Sequence, residues 1–428
     1  MKRTLSGLVA LLLMTTVAGC GTNAKSAIPR PSVHSSGPAS PSPGVEAVSP
    51  IAPAYNAFGL ELYARLSAAK PKENVFISPA SVAIALSMVL NGAQGATREA
   101  MAKTLHLDVL DADTWNRSAA ELQDRLTHAD PKVELSIANS IWAKNERSLK
   151  FQEAFLKTNK DFYKAETASV DFGDPKTVDK INKWVDKQTK GKIDSIVKAP
   201  MDPNVIMLLL NAVYFKGSWT TTFSKDATRD AAFTLADGTK KTYPFMQRSG
   251  SFEYKKADGY QAVRLPYGDG NLGMLILLPD EGAKLETFTE RLARAGEWDR
   301  TLADWKPQQG EVLLPRFKLE SELELNDALK SLGMSIAFDD RQADFSGLLT
   351  PPVQAFIGEV KHKTFIQVDE KGTEAAAVTS VGVKTSSAMV PTTPPFRMEM
   401  NRPFLIAIQD RSTGAVLFVG SIQDPVQG

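Results

Sequence analysis

Histidine and cysteine, which often serve as general base, thiol nucleophile or metal ligand, are scarce in this chain of 428 residues. Histidine occurs four times, at His34, His106, His128 and His362, and Cys20 is the single cysteine. The metal-binding spacings HExxH and CxxC do not occur, nor does the GxSxG turn that presents a nucleophilic serine. Four scattered histidines give little support for a hydrolytic triad. The sequence therefore predicts no catalytic residue, no bound metal, no cofactor and no enzyme activity.

A glycine-rich run at residues 268–273, GDGNLG, formally matches the GxGxxG spacing of dinucleotide-binding proteins. That site requires a strand before the glycines and a helix after them, because the helix N-terminus holds the pyrophosphate. Here the residues that follow, MLILLP, favour a strand. We interpret the run as the turn of a β-hairpin and predict no nucleotide site.

The stretch at residues 370–389, EKGTEAAAVTSVGVKTSSAM, is dominated by small side chains and lies between two strand-like runs. One interpretation is a flexible surface loop, because such a run buries little apolar area. The other is a strand held in reserve, because alternation leaves one face small and uncharged and places both charges on the opposite face. The uncharged face consists of Thr373, Ala375, Ala377, Thr379, Val381 and Val383. Such a segment could enter a sheet as a new strand.

Eight consecutive residues of this stretch resemble the hinge of the serpin family, whose members trap serine proteases by loop insertion. They are Glu370, Lys371, Gly372, Thr373, Glu374, Ala375, Ala376 and Ala377. Other segments resemble the family in the same order, among them NAVYFKGSW at residues 211–219 and NRPFLI at residues 401–406. The resemblance extends over about residues 54–426. It implies an α+β serpin fold with three β-sheets, about eight or nine helices and an exposed reactive-centre loop.

By this resemblance the protein would be a suicide-substrate inhibitor of serine proteases. The target cleaves the loop, the hinge inserts into the central sheet, and the acyl-enzyme is trapped before its ester is hydrolysed. Gly372 would permit the pivot, and Thr373 would be the first inward-facing residue to enter the sheet. The expected partner is a target serine protease, bound covalently by a monomeric inhibitor. Two alternatives are a non-inhibitory serpin that acts as a binding protein and an inhibitor of cysteine proteases.

Two sets of residues match positions at which the family's sheet opens. Ser78, Ser81, Asn211 and His362 match the shutter beneath the sheet, and Trp219, Arg316 and Glu370 match the breach at its top. Without the resemblance, the shutter residues would be ordinary buried polar groups that each need a partner, and Arg316 would be a solvated surface charge. His362 could also make insertion sensitive to pH between 5.5 and 7.5 (roughly the range in which histidine titrates).

The position of the reactive bond follows only from a count along the loop. About seventeen residues from Glu370, as in inhibitory relatives, the count reaches the bond between Ser386 and Ser387. A small residue before the cut suits elastase-like or subtilisin-like proteases. The loop is longer than in many relatives before Pro403, so three other residues remain open. They are Lys384, which would favour trypsin-like enzymes, Thr385, and Met389, which would favour chymotrypsin-like or subtilisin-like enzymes.

Charge argues against polyanionic partners. The 50 basic and 49 acidic residues leave a net charge of +1, so nucleic acid is not expected as a main partner. The segment at residues 108–130 carries six acidic residues against two arginines. Because the corresponding helix is basic in heparin-activated serpins, heparin activation is not expected.

The amino-terminal segment resembles an export and anchoring signal. Residues 1–20 hold two basic residues, an apolar run and VAGC, which resembles the lipobox of bacterial lipoproteins, with Cys20 as the lipidated residue. Residues 21–51 are rich in Pro and Ser and are predicted to be a disordered tether. The serpin domain would then span residues 52–428, with its reactive loop at about residues 370–395. We expect an exported, lipid-anchored protein whose domain lies outside the cytoplasm, at the cell membrane or cell surface.

Overall fold

The computed structural model describes residues 50–145, 150–202, 205–350, 354–373 and 394–425. Within these ranges the protein contains helices and three sheets, in agreement with the predicted α+β class. None of the helices in these ranges is long and apolar enough to cross a membrane.

Nine α-helices occur in the described ranges. They are α1 (Ile51–Ala69), α2 (Pro79–Leu90), α3 (Gly95–Thr104), α4 (Ala112–Thr127), α5 (Glu153–Tyr163), α6 (Pro175–Gln188), α7 (Leu285–Leu292), α8 (Glu297–Leu302) and α9 (Asn326–Leu329). Helix α2 begins with proline at its first position, where a missing N–H costs nothing. All twelve residues of α2 are buried, so this helix lies inside the domain rather than on its surface.

Seventeen strands in the described ranges form the sheets. They are β1 (Val75–Ile77), β2 (Val133–Lys144), β3 (Lys150–Phe151), β4 (Glu166–Val170), β5 (Met207–Ser218), β6 (Arg229–Thr234), β7 (Lys240–Ala257), β8 (Tyr260–Pro266), β9 (Leu272–Pro279), β10 (Lys306–Pro315), β11 (Phe317–Glu324), β12 (Leu349–Thr350), β13 (Glu359–Asp369), β14 (Gly372–Thr373), β15 (Phe396–Glu399), β16 (Phe404–Asp410) and β17 (Val416–Ile422). Strands β8 and β9 form the predicted hairpin around the glycine-rich run.

The main sheet has the order β11-β13-β14-β5-β2-β4. Its central strand β5 is buried along nearly its whole length, as its uncharged sequence MLLLNAVYF indicates. Strands β13 and β5 run parallel and pair directly from Glu359 with Leu208 to Phe365 with Tyr214. Of the described residues, only the two of β14 lie between these strands, at one end.

Two hydrophobic clusters cover the two faces of the main sheet. The larger cluster includes α2 and the nine-stranded sheet, whose order is β1-β17-β16-β9-β8-β7-β10-β15 with β6 paired to β7. The smaller cluster packs Ile181 and Val185 of α6 against Trp142, Leu208 and Phe365 of the main sheet. Separation of β13 from β5 would therefore disturb contacts on both faces.

Candidate functional site

The hinge, residues 370–377, already contributes two residues to the main sheet. They form strand β14, which pairs Thr373 with Val368 on one side and with Gly217 on the other. Thr373 is fully buried, and its hydroxyl lies 2.6 Å from that of Tyr267. The sequence predicts that Thr373 enters the sheet when the loop is cut, whereas the structure shows it there in the intact chain. The hydrogen-bonding partners that it finds between β13 and β5 explain the difference.

Gly372 lies where no side chain would fit. Its φ of +151° is a conformation that residues with a Cβ rarely adopt. A Cβ at this position would lie 2.1 Å from the carbonyl oxygen of Gly217 and 2.7 Å from the Cα of Ser218. The glycine therefore permits close approach to β5, in addition to the pivot that the sequence suggests.

Glu370, a breach residue, is held by two side chains. Its carboxylate oxygen Oε1 accepts hydrogen bonds from Arg316, with Nε at 2.8 Å, and from the hydroxyl of Thr228 at 2.6 Å. A second Arg316 nitrogen, Nη2, bonds the same oxygen. Arg316 is thus not a freely solvated surface charge. This bonding fixes the residue from which the hinge starts.

Two opposing effects set the charge state of Glu370. Burial by itself would raise the pKa of this carboxyl. The hydrogen bonds from Arg316 and Thr228 to the charged form outweigh burial and hold the pKa below its ordinary value. Glu370 is therefore a carboxylate at neutral pH.

Trp219, the third breach residue, supports the turn before the hinge. Its indole Nε1–H donates to the carbonyl oxygen of Asp369 at 2.9 Å, and its backbone N–H donates to that of Lys371 at 2.8 Å. Its ring stacks on Tyr267 with centroids 4.4 Å apart. Because Tyr267 also contacts Thr373, the aromatic pair connects both ends of the turn.

The four shutter residues lie where α2 packs against the main sheet: His362 and Asn211 belong to the sheet, and Ser78 and Ser81 to the start of α2. The ring Nε2 of His362 accepts a hydrogen bond from the backbone N–H of Ser78 at 3.0 Å. The side-chain amide of Asn211 donates to the hydroxyl of Ser81 and to the side-chain carbonyl of Asn139. Since β13 and β5 pair His362 with Asn211, this cluster crosses the line along which a new strand would enter.

Burial keeps His362 neutral. The ring is completely buried, and desolvation lowers its pKa to about 3, against a weak opposing interaction with the Asn211 backbone. At both pH 5.5 and pH 7.5 the closed protein therefore holds the same neutral ring. The closed protein offers no titrating ring at His362 between these pH values, and the pH dependence of insertion itself stays a prediction.

Some polar atoms at the shutter have no hydrogen-bonding partner while the sheet is closed. In the part of the chain that the structure describes, His362 Nδ1, Asn211 Oδ1 and Asn139 Nδ2 are buried without a hydrogen bond of normal geometry. Because Nε2 of the neutral ring accepts, Nδ1 carries the proton and is a donor. One acceptor and two donors therefore surround the line between β13 and β5.

Several predicted site residues lie outside the described ranges. They are Cys20, the hinge residues Glu374, Ala375, Ala376 and Ala377, and the reactive-bond candidates Lys384, Thr385, Ser386, Ser387 and Met389. Within the described ranges the base of the hinge contacts the breach residues, and the shutter forms a separate group further along β5 and β13.

Three residues that contact the site are not predicted by the sequence. Tyr267 and Thr228 carry no local signal, because each reaches the hinge from a distant part of the chain. Asn139 stands among other polar residues in β2, so only its burial, which the sequence does not show, marks it as an amide that needs a partner.

Comparison with known proteins gives consistent matches. The family model described as Serpin (serine protease inhibitor) matches residues 53–425. An uncharacterized serpin-like protein of Thermococcus kodakarensis is 37% identical over 89% of this chain and 87% of its own length. Human leukocyte elastase inhibitor is 34% identical over 86% of this chain and 97% of its own. The native structure of tengpin, a thermophilic serpin, matches with a TM-score of 0.79 and 34% identity, covering 87% of this chain and 94% of tengpin.

Proposed function

This chain belongs to the serpin family, and from that premise we propose that it is a suicide-substrate inhibitor of serine proteases. The observation that carries the proposal is the position of Thr373, paired on both sides at the end of an otherwise closed sheet. Because the hinge already forms its first pairs in the sheet, insertion does not have to start a new strand. Insertion then requires only that β13 and β5 separate progressively from this end.

The pairing register indicates where the rest of the hinge would go. Thr373 pairs with Gly217 and Val368, both in antiparallel sense. Six residues further on, an inserted Thr379 would lie between Asn211 and His362. Its hydroxyl could donate to Asn211 Oδ1 and accept from His362 Nδ1–H, two of the atoms that lack partners in the closed sheet. Ala375 and Ala377, the small residues between Thr373 and Thr379 on the same face of the strand, would also face the interior of the domain.

Insertion of the cleaved loop would release enough free energy to carry the bound protease with it. About a dozen inserted residues gain a similar number of hydrogen bonds at ~0.5–1.5 kcal/mol net each. The total, on the order of 10 kcal/mol, is comparable with the stability of a whole domain. The uncleaved protein is then a kinetically trapped state.

The chemical steps belong to the target protease. Its serine Oγ attacks the carbonyl carbon before the reactive bond, which forms an ester and releases a new amino group on the following residue. Insertion must carry this acyl-enzyme away before water cleaves the ester. The inhibitor itself contributes no catalytic group to these steps. Its contribution is to insert the loop faster than the ester is hydrolysed.

The target class rests on the loop sequence. Cleavage between Ser386 and Ser387 would place a small residue in the protease pocket, which suits elastase-like or subtilisin-like enzymes. The similarity to human leukocyte elastase inhibitor supports this choice. Cleavage after Lys384, Thr385 or Met389 would assign a different class.

We place the protein outside the cytoplasm. The support is the sequence alone: the export-type segment at residues 1–20, a lipobox that ends at Cys20, and the Pro/Ser-rich residues 21–51. A tether of this length would hold residues 52–428 away from the membrane that carries the lipid.

The direct test is incubation with four serine proteases (subtilisin, an elastase, chymotrypsin and trypsin) and, in parallel, with the cysteine protease papain. Denaturing gels and mass spectrometry of the released carboxyl-terminal fragment follow. The proposal predicts a complex that survives denaturation, and the fragment mass gives the reactive bond. Cleavage without a complex, and without a rise in the thermal midpoint, would instead indicate a non-inhibitory binding protein. A complex with papain but with none of the four serine proteases would indicate inhibition of cysteine proteases.

A further inference from the structure

The turn between strands β13 and β14 is closed by the side chain of Asp369. Strand β13 ends at Asp369 and β14 begins at Gly372, so two residues connect the strands. The carboxylate oxygen Oδ1 of Asp369 accepts hydrogen bonds from the backbone N–H groups of Lys371 at 2.8 Å and of Gly372 at 3.3 Å. An aspartate that bonds the backbone two residues further on forms an Asx turn, which stabilises a tight reversal of the chain. The side chain of Asp369 therefore stabilises a connection of this length.

Asp369 bonds across the connection itself, whereas the other residues that contact the hinge reach it from outside β13. Arg316, Trp219 and Tyr267 attach the hinge to other parts of the domain. Asp369 is the last residue of β13, and it bonds the first residue of β14. Within the described ranges no other side chain of β13 bonds this turn. The side-chain hydrogen bonds that span the connection therefore come from Asp369.

The length of the turn decides which face of an inserted loop points inward. With two turn residues, Thr373 pairs with Val368, and an inserted Ala375 would pair with Ile366. One additional turn residue would shift the pairing by one, and such a slip moves every side chain of a strand to the other face. Glu374 would then take the inward position that Thr373 holds in the structure. Because burial of an unpaired charge is costly, a slipped loop would insert poorly.

We infer that Asp369 is a positioning residue, which sets the register in which the cleaved loop enters the main sheet. The inference rests on the proposed function, because it concerns the same insertion. The turn is already formed in the intact chain, so the new strand extends from a pair that is in register before the loop is cut. Insertion must be faster than hydrolysis of the ester, and a strand that first tried other registers would be delayed. Asp369 thus acts on inhibition through the turn, without contact with the reactive bond.

The test compares Asp369→Ala and Asp369→Asn with the wild type, each as the full chain incubated with subtilisin and with an elastase. Two quantities are measured: the number of inhibitor molecules consumed for each protease molecule trapped, and the rise in the thermal midpoint when the loop is cleaved. Asparagine keeps the Oδ1 acceptor and should behave like the wild type. Alanine cannot close the turn. It should increase the consumption of inhibitor severalfold and reduce the rise on cleavage.

The rise on cleavage separates a positioning role from a merely structural one. A turn that is only weaker would lower the thermal midpoints of the intact and the cleaved protein alike, because the same turn is present in both. The rise would then be unchanged. An unchanged rise in Asp369→Ala would therefore overturn the inference. A defect in Asp369→Asn as large as that in Asp369→Ala would also overturn it, because asparagine retains the acceptor atom.

Inserted glycines are a matched control that leaves Asp369 and its turn intact. One glycine between Thr373 and Glu374 shifts all later residues by one and turns Glu374 inward, so the complex and the rise on cleavage should both be lost. Two glycines at the same point restore the alternation of faces and should recover much of both. Equal losses with one and with two glycines would overturn the inference, because register would then not govern insertion. A wild type that gains no stability on cleavage would refute the proposed function, and this inference with it.

Discussion

The hydroxyl groups of Tyr267 and Thr373 lie 2.6 Å apart in a fully buried contact. Thr373 belongs to the hinge, and Tyr267 follows strand β8 of the other large sheet. Tyr267 also stacks on Trp219, which holds the turn before the hinge. This contact therefore ties the first inserted residue of the loop to a part of the domain that need not move during insertion.

Replacing Tyr267 by phenylalanine should destabilise the intact protein. The ring would still stack, but the buried Thr373 hydroxyl would lose its partner, which costs about 1–3 kcal/mol. The measurement is the thermal midpoint by circular dichroism. The double variant Tyr267→Phe with Thr373→Val should recover much of the loss, because no polar group is then left unpaired. Additive losses in the double variant would contradict this explanation.

An arginine at Ala375 should convert the inhibitor into a substrate. The position of Thr373 indicates that Ala375 is the next residue on the inward face, where insertion would bury the charge. Thr373→Arg is a poorer test, because Thr373 is buried before cleavage and its replacement would also disturb the intact protein. Gel densitometry should show cleaved protein in place of the protease complex.

Glu374→Arg is the control for this variant. An arginine one residue earlier lies on the opposite face of the strand, where the register places residue 374 beside the half-buried Lys216 and Gln367. It should retain much more complex formation than Ala375→Arg. Equal loss of complex in the two variants would show that the assignment of faces is wrong.

Gly372→Ala should displace the hinge from the sheet. Its Cβ would collide with the carbonyl oxygen of Gly217, so we expect a lower thermal midpoint and faster loop cleavage by a protease in limiting amount. Gly250→Ala separates the clash from the backbone strain, because Gly250 has a similar φ of +155° and a Cβ there would meet no heavy atom within 4 Å. If both variants lose the same amount of stability, backbone strain alone, without the clash, accounts for the effect of Gly372→Ala.

Thr379→Val should lower the stability of the cleaved protein and leave the stability of the intact protein unchanged. An inserted valine has the shape of threonine but cannot pair with Asn211 Oδ1 and His362 Nδ1, so the inserted state loses about 1–3 kcal/mol. Thr379→Ser, which keeps the hydroxyl, should behave like the wild type. Thermal or denaturant unfolding of the cleaved forms is the measurement. Equal stability of all three cleaved forms would show that Thr379 does not reach the shutter.

If the ring stays buried until β13 and β5 have separated, insertion should proceed at the same rate at pH 5.5 and pH 7.5, because burial lowers the pKa of His362 to about 3 in the closed state. The stability of the intact protein should nevertheless depend on this histidine. Below a pKa of 6.5 the unfolded ring takes up a proton that the folded ring cannot. The folded state therefore loses stability as the pH falls from about 6.5 toward 3, by about 2 kcal/mol at pH 5.

Comparison of the wild type with His362→Asn over pH 4.5–7.5 isolates this contribution from other titrating groups. The difference in thermal midpoint between the two proteins should narrow as the pH falls, since only the wild type carries the buried histidine. A constant difference would show that the ring is protonated in the folded state as readily as in the unfolded one.

Much of the fold could be predicted from local sequence. The uncharged run of β5 indicates a strand buried on both faces, and the residues after the glycine-rich run indicate a hairpin rather than a nucleotide site. The α+β class with three sheets is confirmed by the structure and by the family match. These features could be predicted because each depends on the period and polarity of a single segment.

The depth of the hinge could not be predicted in the same way. Alternation shows which residues of 370–389 share a face, but how far the strand has entered depends on whether β13 and β5 are separated beside it. Arg316 could be proposed as a partner of Glu370 only by resemblance, and Thr228 could not be proposed at all. These contacts join residues far apart in the chain, so the local sequence pattern of neither segment indicates them.

The sequence by itself therefore determined that the chain carries a strand-like segment with one small, uncharged face, and that it has only four histidines and one cysteine. The tertiary structure decided that Thr373 already lies in the main sheet, that Glu370 is held by Arg316, and that His362 is neutral. The reason is that side-chain alternation is a property of one segment. Pairing depth, ion pairing and desolvation depend on which distant segments pack against it.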